Sequence, residues 1–210
     1  MKKIKYSIVI IVALVFQTQL FAQDNKAKNL LDEVAVKMTS YNNMQLVFNS
    51  TLSNEDAGIK EGDEPPIKGD ITLEGEKYNL NYLGINFMFD GKKLYVVNHD
   101  EKEVNVNEGD FEESDGFIYP SKLLTFYKEG YKYNLGKVKN IQGKKIQFVN
   151  LIPIDSNSEI VKVELGIELA TKHIYKLIQT GANSAKTTFT ITSFKKNQTL
   201  SLIKIVFASF

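Results

Sequence analysis

Cysteine does not occur in the 210 residues. That excludes a disulfide framework, a thiolate metal site, a cysteine nucleophile and a lipid-modified amino-terminal cysteine. Arginine is missing too: all 26 basic residues are lysine, so no bidentate guanidinium clamp for phosphate or carboxylate can be built. The two histidines, His99 and His173, fall in predicted turns with no partner at ligand spacing, which leaves neither a metal set nor a catalytic base. There is no Gly-x-Ser-x-Gly elbow and no Gly-rich loop ending in Lys-Ser/Thr. The acidic run Glu108 to Gly116 reads as a solvated loop, since nothing places two of its carboxylates across a cleft. An enzyme is not expected, and neither is a cofactor or a metal.

Long apolar runs are also scarce. One from Ile8 to Phe16 follows Lys2, Lys3 and Lys5, and Leu20 and Ala22 stand three and one before a cut at Ala22-Gln23. This is the pattern of a cleavable secretory leader over residues 1–22, too short to span a bilayer comfortably. Residues 23–210 are then expected to form a single secreted domain. With the leader's three lysines removed from 26 basic residues, the balance against 25 acidic ones is about −2, which argues against a nucleic-acid partner. A secreted chain without disulfides must be stabilised by its own core, and 43% hydrophobic composition suffices for one.

The periodicity that follows begins helical. Ala27, Leu30, Leu31, Val34, Met38 and Tyr41 recur at steps of three and four, with Asp24 suited to the N-cap. From Met44 the period becomes two, with Leu46, Phe48, Ser50 and Leu52 on one face of a strand. Glu55 to Gly69 is acidic and rich in Gly and Pro, and reads as an exposed loop without calcium-loop spacing. A meander is expected next, through Ile71 and Leu73, then Tyr78, Leu80 and Tyr82, then a hairpin at Asp90-Gly91, then Val104 and Val106. A second helix is predicted after Pro120, ending at Gly130. Further strands follow: Tyr131 to Leu135; Ile146, Phe148 and Leu151 after a turn at Gln142-Gly143; Val161 to Ile167; Ile174 to Gln179; Thr187 to Phe194; and Leu200 to Phe207.

The hairpin raises a question of cover. Phe87, Met88 and Phe89 are consecutive, as are Leu94, Tyr95, Val96 and Val97, so both of its faces are apolar. With 13 Phe and 10 Tyr in the chain, a bent sheet wrapped around a short apolar helix would supply that cover. An unclosed wrap would leave a cavity.

The leader, the helix ending in SYNNMQLVF, the stretches GDITLEGEKYNLNY and MFDGKKLYVVNHDEKEV, and the later PSKLLTFYKEGY resemble the periplasmic outer-membrane lipoprotein carrier family, the LolA type. The Lys, Asn and Ile content and the FAQ at the cut are similar to Bacteroidetes-type members. The resemblance implies a mainly β fold with α, an unclosed antiparallel barrel of about ten or eleven strands capped by helices. It implies an apolar cavity for lipoprotein acyl chains, an inner-membrane ABC lipoprotein-release complex as donor, an outer-membrane acceptor, and a monomeric carrier. On that template the cavity wall falls to Phe48, Leu80, Tyr82, Phe87, Phe89, Leu94 and Phe148, and the lid to Leu123, Leu124, Phe126 and Tyr127. Two departures stand out. Where carriers have a basic residue after the Gly-Asp strand this chain has Glu74-Gly75-Glu76, so lid control must differ; and the chain ends in IVFASF where the family continues past its last strand. A binding or interaction module of the same fold, an envelope-stress sensor, or a carrier of another lipid are the competing readings.

Overall fold

The computed structural model describes residues 25–110, 118 and 120–199. Its helix, α1, covers residues 25–39 and buries the expected stripe of Ala27, Leu30, Leu31, Val34 and Met38, together with Ala35. Each fully buried aliphatic of this kind contributes roughly 1.5–3 kcal/mol. The helix ends where Thr39 Oγ1 and Ser40 Oγ donate back to the carbonyls of Ala35 and Lys37, both at 2.7 Å. Asp24, the expected cap, lies outside the described residues.

Eleven strands form one antiparallel sheet: β1 (Met44–Ser53), β2 (Ile67–Glu74), β3 (Lys77–Tyr82), β4 (Ile85–Phe89), β5 (Lys93–Asn98), β6 (Glu103–Glu108), β7 (Tyr131–Ile141), β8 (Lys144–Pro153), β9 (Ile160–Glu168), β10 (His173–Gly181) and β11 (Lys186–Lys196). The order is β6-β5-β4-β3-β2-β1-β11-β10-β9-β8-β7, so every neighbour is sequential except the β1–β11 pair. β6 and β7 are the two free edges among the described residues, and the sheet is unclosed. It curls around α1, helped by register shifts at Val47/Phe48, Ile174/Lys176 and Leu135/Val138, where an extra residue bends the strand.

The inner face of the sheet is the one that meets α1. Leu46, Phe48 and Ser50 of β1 lie on it, as do Ile71 and Leu73 of β2, Val163, Leu165 and Ile167 of β9, and Ile174 and Leu177 of β10. Gly69, in register with Phe48, has to be glycine, because a Cβ there would come within 2.3 Å of the Phe48 ring. That ring fills the space where a side chain would stand, which gives the Gly-Asp pair of the sequence a packing reason.

Several sequence expectations are corrected. The second helix is not formed: Pro120–Lys122 and Phe126–Lys128 are separate 3-10 turns, and the chain enters β7 at Tyr131. Leu123 and Leu124 border the space under the segment, Phe126 packs on Tyr131 and Tyr127 Oη reaches Asp32, and so short a helix is marginal on its own. Gly130 does punctuate the segment, at φ 78°. β2 begins at Ile67, inside the stretch expected to be loop, and Glu55–Ala57 before it is a 3-10 turn capped by Asn54 Oδ1 on Ala57 N at 3.2 Å. His173 opens β10 instead of lying in a turn. The Leu200 to Phe207 strand and most of the Glu108 to Gly116 run lie outside the described residues.

His173 joins the end of α1 to the sheet. Its Nε2 is 2.8 Å from Tyr41 Oη, and its ring stacks on Phe194 with centroids 4.0 Å apart. Burial, then the nearby Lys196, hold its pKa below the ordinary value, with Lys37 and Lys144 acting the same way and Glu168 opposing. The unfolded chain therefore takes up the proton first as pH falls, and stability is lost from about pH 6.5 downward until the folded state protonates as well. Thermal unfolding followed from pH 7.5 to pH 5 will show a decline that is shallower in His173→Gln; parallel profiles for the two proteins would refute this role.

Candidate ligand cavity

Two hollows lie between the inner face of the sheet and the 120–128 segment. The first, about 90 Å³, is apolar and is bounded by Phe48, Leu80 and Tyr82 from the meander, Phe189 and Leu177 from the other half of the sheet, and Leu123 from above. Three of its aromatic rings pack edge to face, Phe48 against Tyr82 at 5.6 Å and Phe189 against Phe48 at 5.7 Å and Tyr82 at 6.0 Å. The second, about 420 Å³, is bounded by Met38 at the end of α1, Met44, Leu73, Phe89, Leu123 and Leu124, with Glu76, Asp110 and Lys122 among its polar lining. Leu123 and Pro120 line both. The second hollow alone has the size of a small-molecule site; the first becomes one only if Leu123 withdraws.

The cover over these hollows is pinned near both ends by side-chain hydrogen bonds. Near its start, Ser121 Oγ donates to Asp110 Oδ2, whose other oxygen accepts from Tyr78 Oη at 2.6 Å. Near its end, Tyr127 Oη donates to Asp32 Oδ1 of α1 at 2.8 Å. Burial, and secondarily the carboxylate beside each, push both phenols well above the ordinary tyrosine range, so they remain donors at any physiological pH. The hydrogen bonds from Lys28 and Tyr127 hold the Asp32 carboxyl below the usual range. Phe126 completes the cover by packing edge-on against Tyr131 at 5.4 Å.

The expected wall residues separate into three groups. Phe48, Leu80 and Tyr82 meet at the apolar hollow and Phe89 at the larger one. Phe87 and Leu94 sit on the same inner face, Phe87 half-buried and Leu94 2% exposed, but border neither hollow. Phe148 is elsewhere: it packs with Ile146 and Tyr175 on the outer face, because Val149 and Leu151 take the inward positions of β8. Of the lid residues, Leu123 and Leu124 border the hollows, while Phe126 and Tyr127 anchor the segment. Sequence reasoning missed Ile174, Leu177, Phe189 and Ile191 as wall. Alternation in TTFTITSF marks Phe189 and Ile191 as facing one way, but the β1–β11 pairing that seats Ile191 opposite Phe48 and Phe189 opposite Ser50 joins strands far apart in the chain.

The hairpin question is also answered. Phe87, Phe89, Leu94 and Val96 point inward, whereas Met88, Tyr95 and Val97 point outward and continue into Val104 and Val106 of β6, which are 43% and 51% exposed. Its second apolar face is an outer patch beside β6, an edge strand among the described residues.

No family model matches the chain, and no curated protein does. Solved structures similar to it include an uncharacterized conserved protein from Thermus thermophilus, 9% identical over 81% of this chain and 87% of that one, at a TM-score of 0.55. They also include a putative outer membrane lipoprotein-sorting protein domain from Vibrio parahaemolyticus (15%, covering 83% and 94%, TM-score 0.42) and a LolA superfamily protein from Nitrosomonas europaea (11%, covering 80% and 92%, TM-score 0.41). The first of these likenesses, at so low an identity, defines a shared fold: an open antiparallel sheet curled about a helix.

Phe148 provides a control for the site. Phe148→Ala should cost about 3 kcal/mol in denaturant unfolding, as for a buried core ring, yet leave uptake of an environment-sensitive fatty-acid probe at the wild-type level. Lost uptake in a folded Phe148→Ala protein would show that the wall extends to the outer face.

Proposed function

We propose that the protein is a periplasmic carrier that takes the acyl chains of lipoproteins beneath the 120–128 segment and passes them from an inner-membrane donor complex to an outer-membrane acceptor. The observation that carries this reading is an apolar hollow roofed by Leu123, a residue of a segment held down mainly by side-chain hydrogen bonds. Breaking such hydrogen bonds to carboxylates costs about 1.5–3 kcal/mol each, while burying an acyl chain returns about 0.8 kcal/mol per methylene, so a ligand of some fifteen methylenes can lift the cover. Refilling the hollow with Leu123 when the ligand leaves lowers the apparent affinity, which lets cargo pass to a stronger acceptor. Direction then comes from the partners.

A second reading, an interaction module of the same fold, is favoured by the outer patch of Met88, Tyr95, Val97, Val104 and Val106 beside β6, an edge strand among the described residues. Mass spectrometry of organic extracts decides between them. Protein purified from its native periplasm without detergent should release acylated lipid or lipopeptide in near-stoichiometric amount; extracts free of acyl chains, together with no uptake of a fatty-acid probe, would remove the carrier reading.

A further inference from the structure

Gln179 is 6% exposed, and its Nε2 is buried without a hydrogen-bond partner. Native interiors rarely leave a buried amide donor unmade, and such an orphan points to a partner that is absent. Its place on the sheet says what that partner touches. Along β10 the inward side chains alternate, and Leu177, two residues earlier, lines the apolar hollow together with its cross-strand neighbour Phe189. Gln179 is one step along on the same inner face, between Val163 of β9 and Thr187 of β11. Ser50, paired with Phe189 on its other side, lies on that face too, and its Oγ is 2.6 Å from Tyr82 Oη. That pair uses one of its two hydroxyl hydrogens. The lining of the hollow is itself apolar, and Gln179 and Ser50 stand just beyond it on the same inner face, next to the lining residues Leu177 and Phe189.

We propose that the Gln179 amide donates a hydrogen bond to the carbonyl oxygen of an acyl ester or acyl amide, fixing the depth at which the chain enters. The inference rests on the acyl-carrier reading and adds ligand class to it. A free fatty acid fits less well: no lysine lines this hollow, so its carboxylate would be buried without a counter-charge. A hydrocarbon fits less well because it leaves the amide unmade.

The test is competition for a bound fluorescent acyl probe by chain-matched hexadecane, methyl palmitate, palmitoyl monoglyceride and a palmitoylated diacylglyceryl lipopeptide. Wild-type protein should prefer the three carbonyl-bearing ligands to hexadecane by about tenfold, the worth of one buried hydrogen bond. Gln179→Leu should lose that preference, keep hexadecane binding and melt at a higher temperature. Gln179→Met, closer in shape, serves the same purpose if the leucine variant does not fold. A variant that folds and keeps the preference overturns the role of Gln179 while leaving the carrier reading in place. Wild-type protein that yields its probe to none of the four overturns both. Lipopeptide displacing more strongly than monoglyceride assigns the carbonyl to a lipoprotein anchor, and the reverse order assigns it to a free glyceride.

Discussion

One helix cannot cover eleven strands. α1 presents six buried residues over four turns, and the sheet that curls around it brings inward-facing apolar side chains from both of its halves. Whatever inner face remains must be covered by something else, because exposed apolar area of that size is costly in water. The chain meets this with Pro120 to Lys128, which forms two 3-10 turns in place of a second helix. It covers the gap incompletely, and the two hollows are what is left.

The way the segment is fastened sets what it can do. Its apolar side chains reach into the hollows singly, and its fixed points are two tyrosine–aspartate pairs, one reached through Ser121 and one directed at α1. Hydrogen bonds to carboxylates are stronger and more directional than apolar contacts, so these two points fix the position of the segment over the hollows. In a chain without arginine this is how the segment is held, and Gly75 and Glu76 border the larger hollow.

The sequence was legible wherever structure follows from local period and turn chemistry. The stripe of α1, the alternation of β1, the Asp90-Gly91 turn and the Gln142-Gly143 turn, with φ of 50° and 79°, all follow from residues a few positions apart. Legibility failed where distant partners decide. Pro120 and Gly130 frame a helix by every local rule, yet the chain forms two 3-10 turns there, with Ser121 held by Asp110 and Tyr127 by Asp32 from distant parts of the fold. Phe148 looked like wall because aromatic residues on strands do, but which face of β8 turns inward depends on its register with β9. Phe189 was overlooked for the same reason, since only the closing β1–β11 pair places it against Phe48.

The central claim is that the 120–128 segment must move for the hollows to receive a ligand. With no native cysteine to interfere, Asp110→Cys combined with Ser121→Cys places two thiols where the side chains already touch. The oxidised double variant should take up a fatty-acid probe at least ten times more slowly than the same protein after reduction, with both forms equally folded by circular dichroism. Equal uptake in the two forms would mean that ligand enters by another route, and that the segment is a fixed part of the wall.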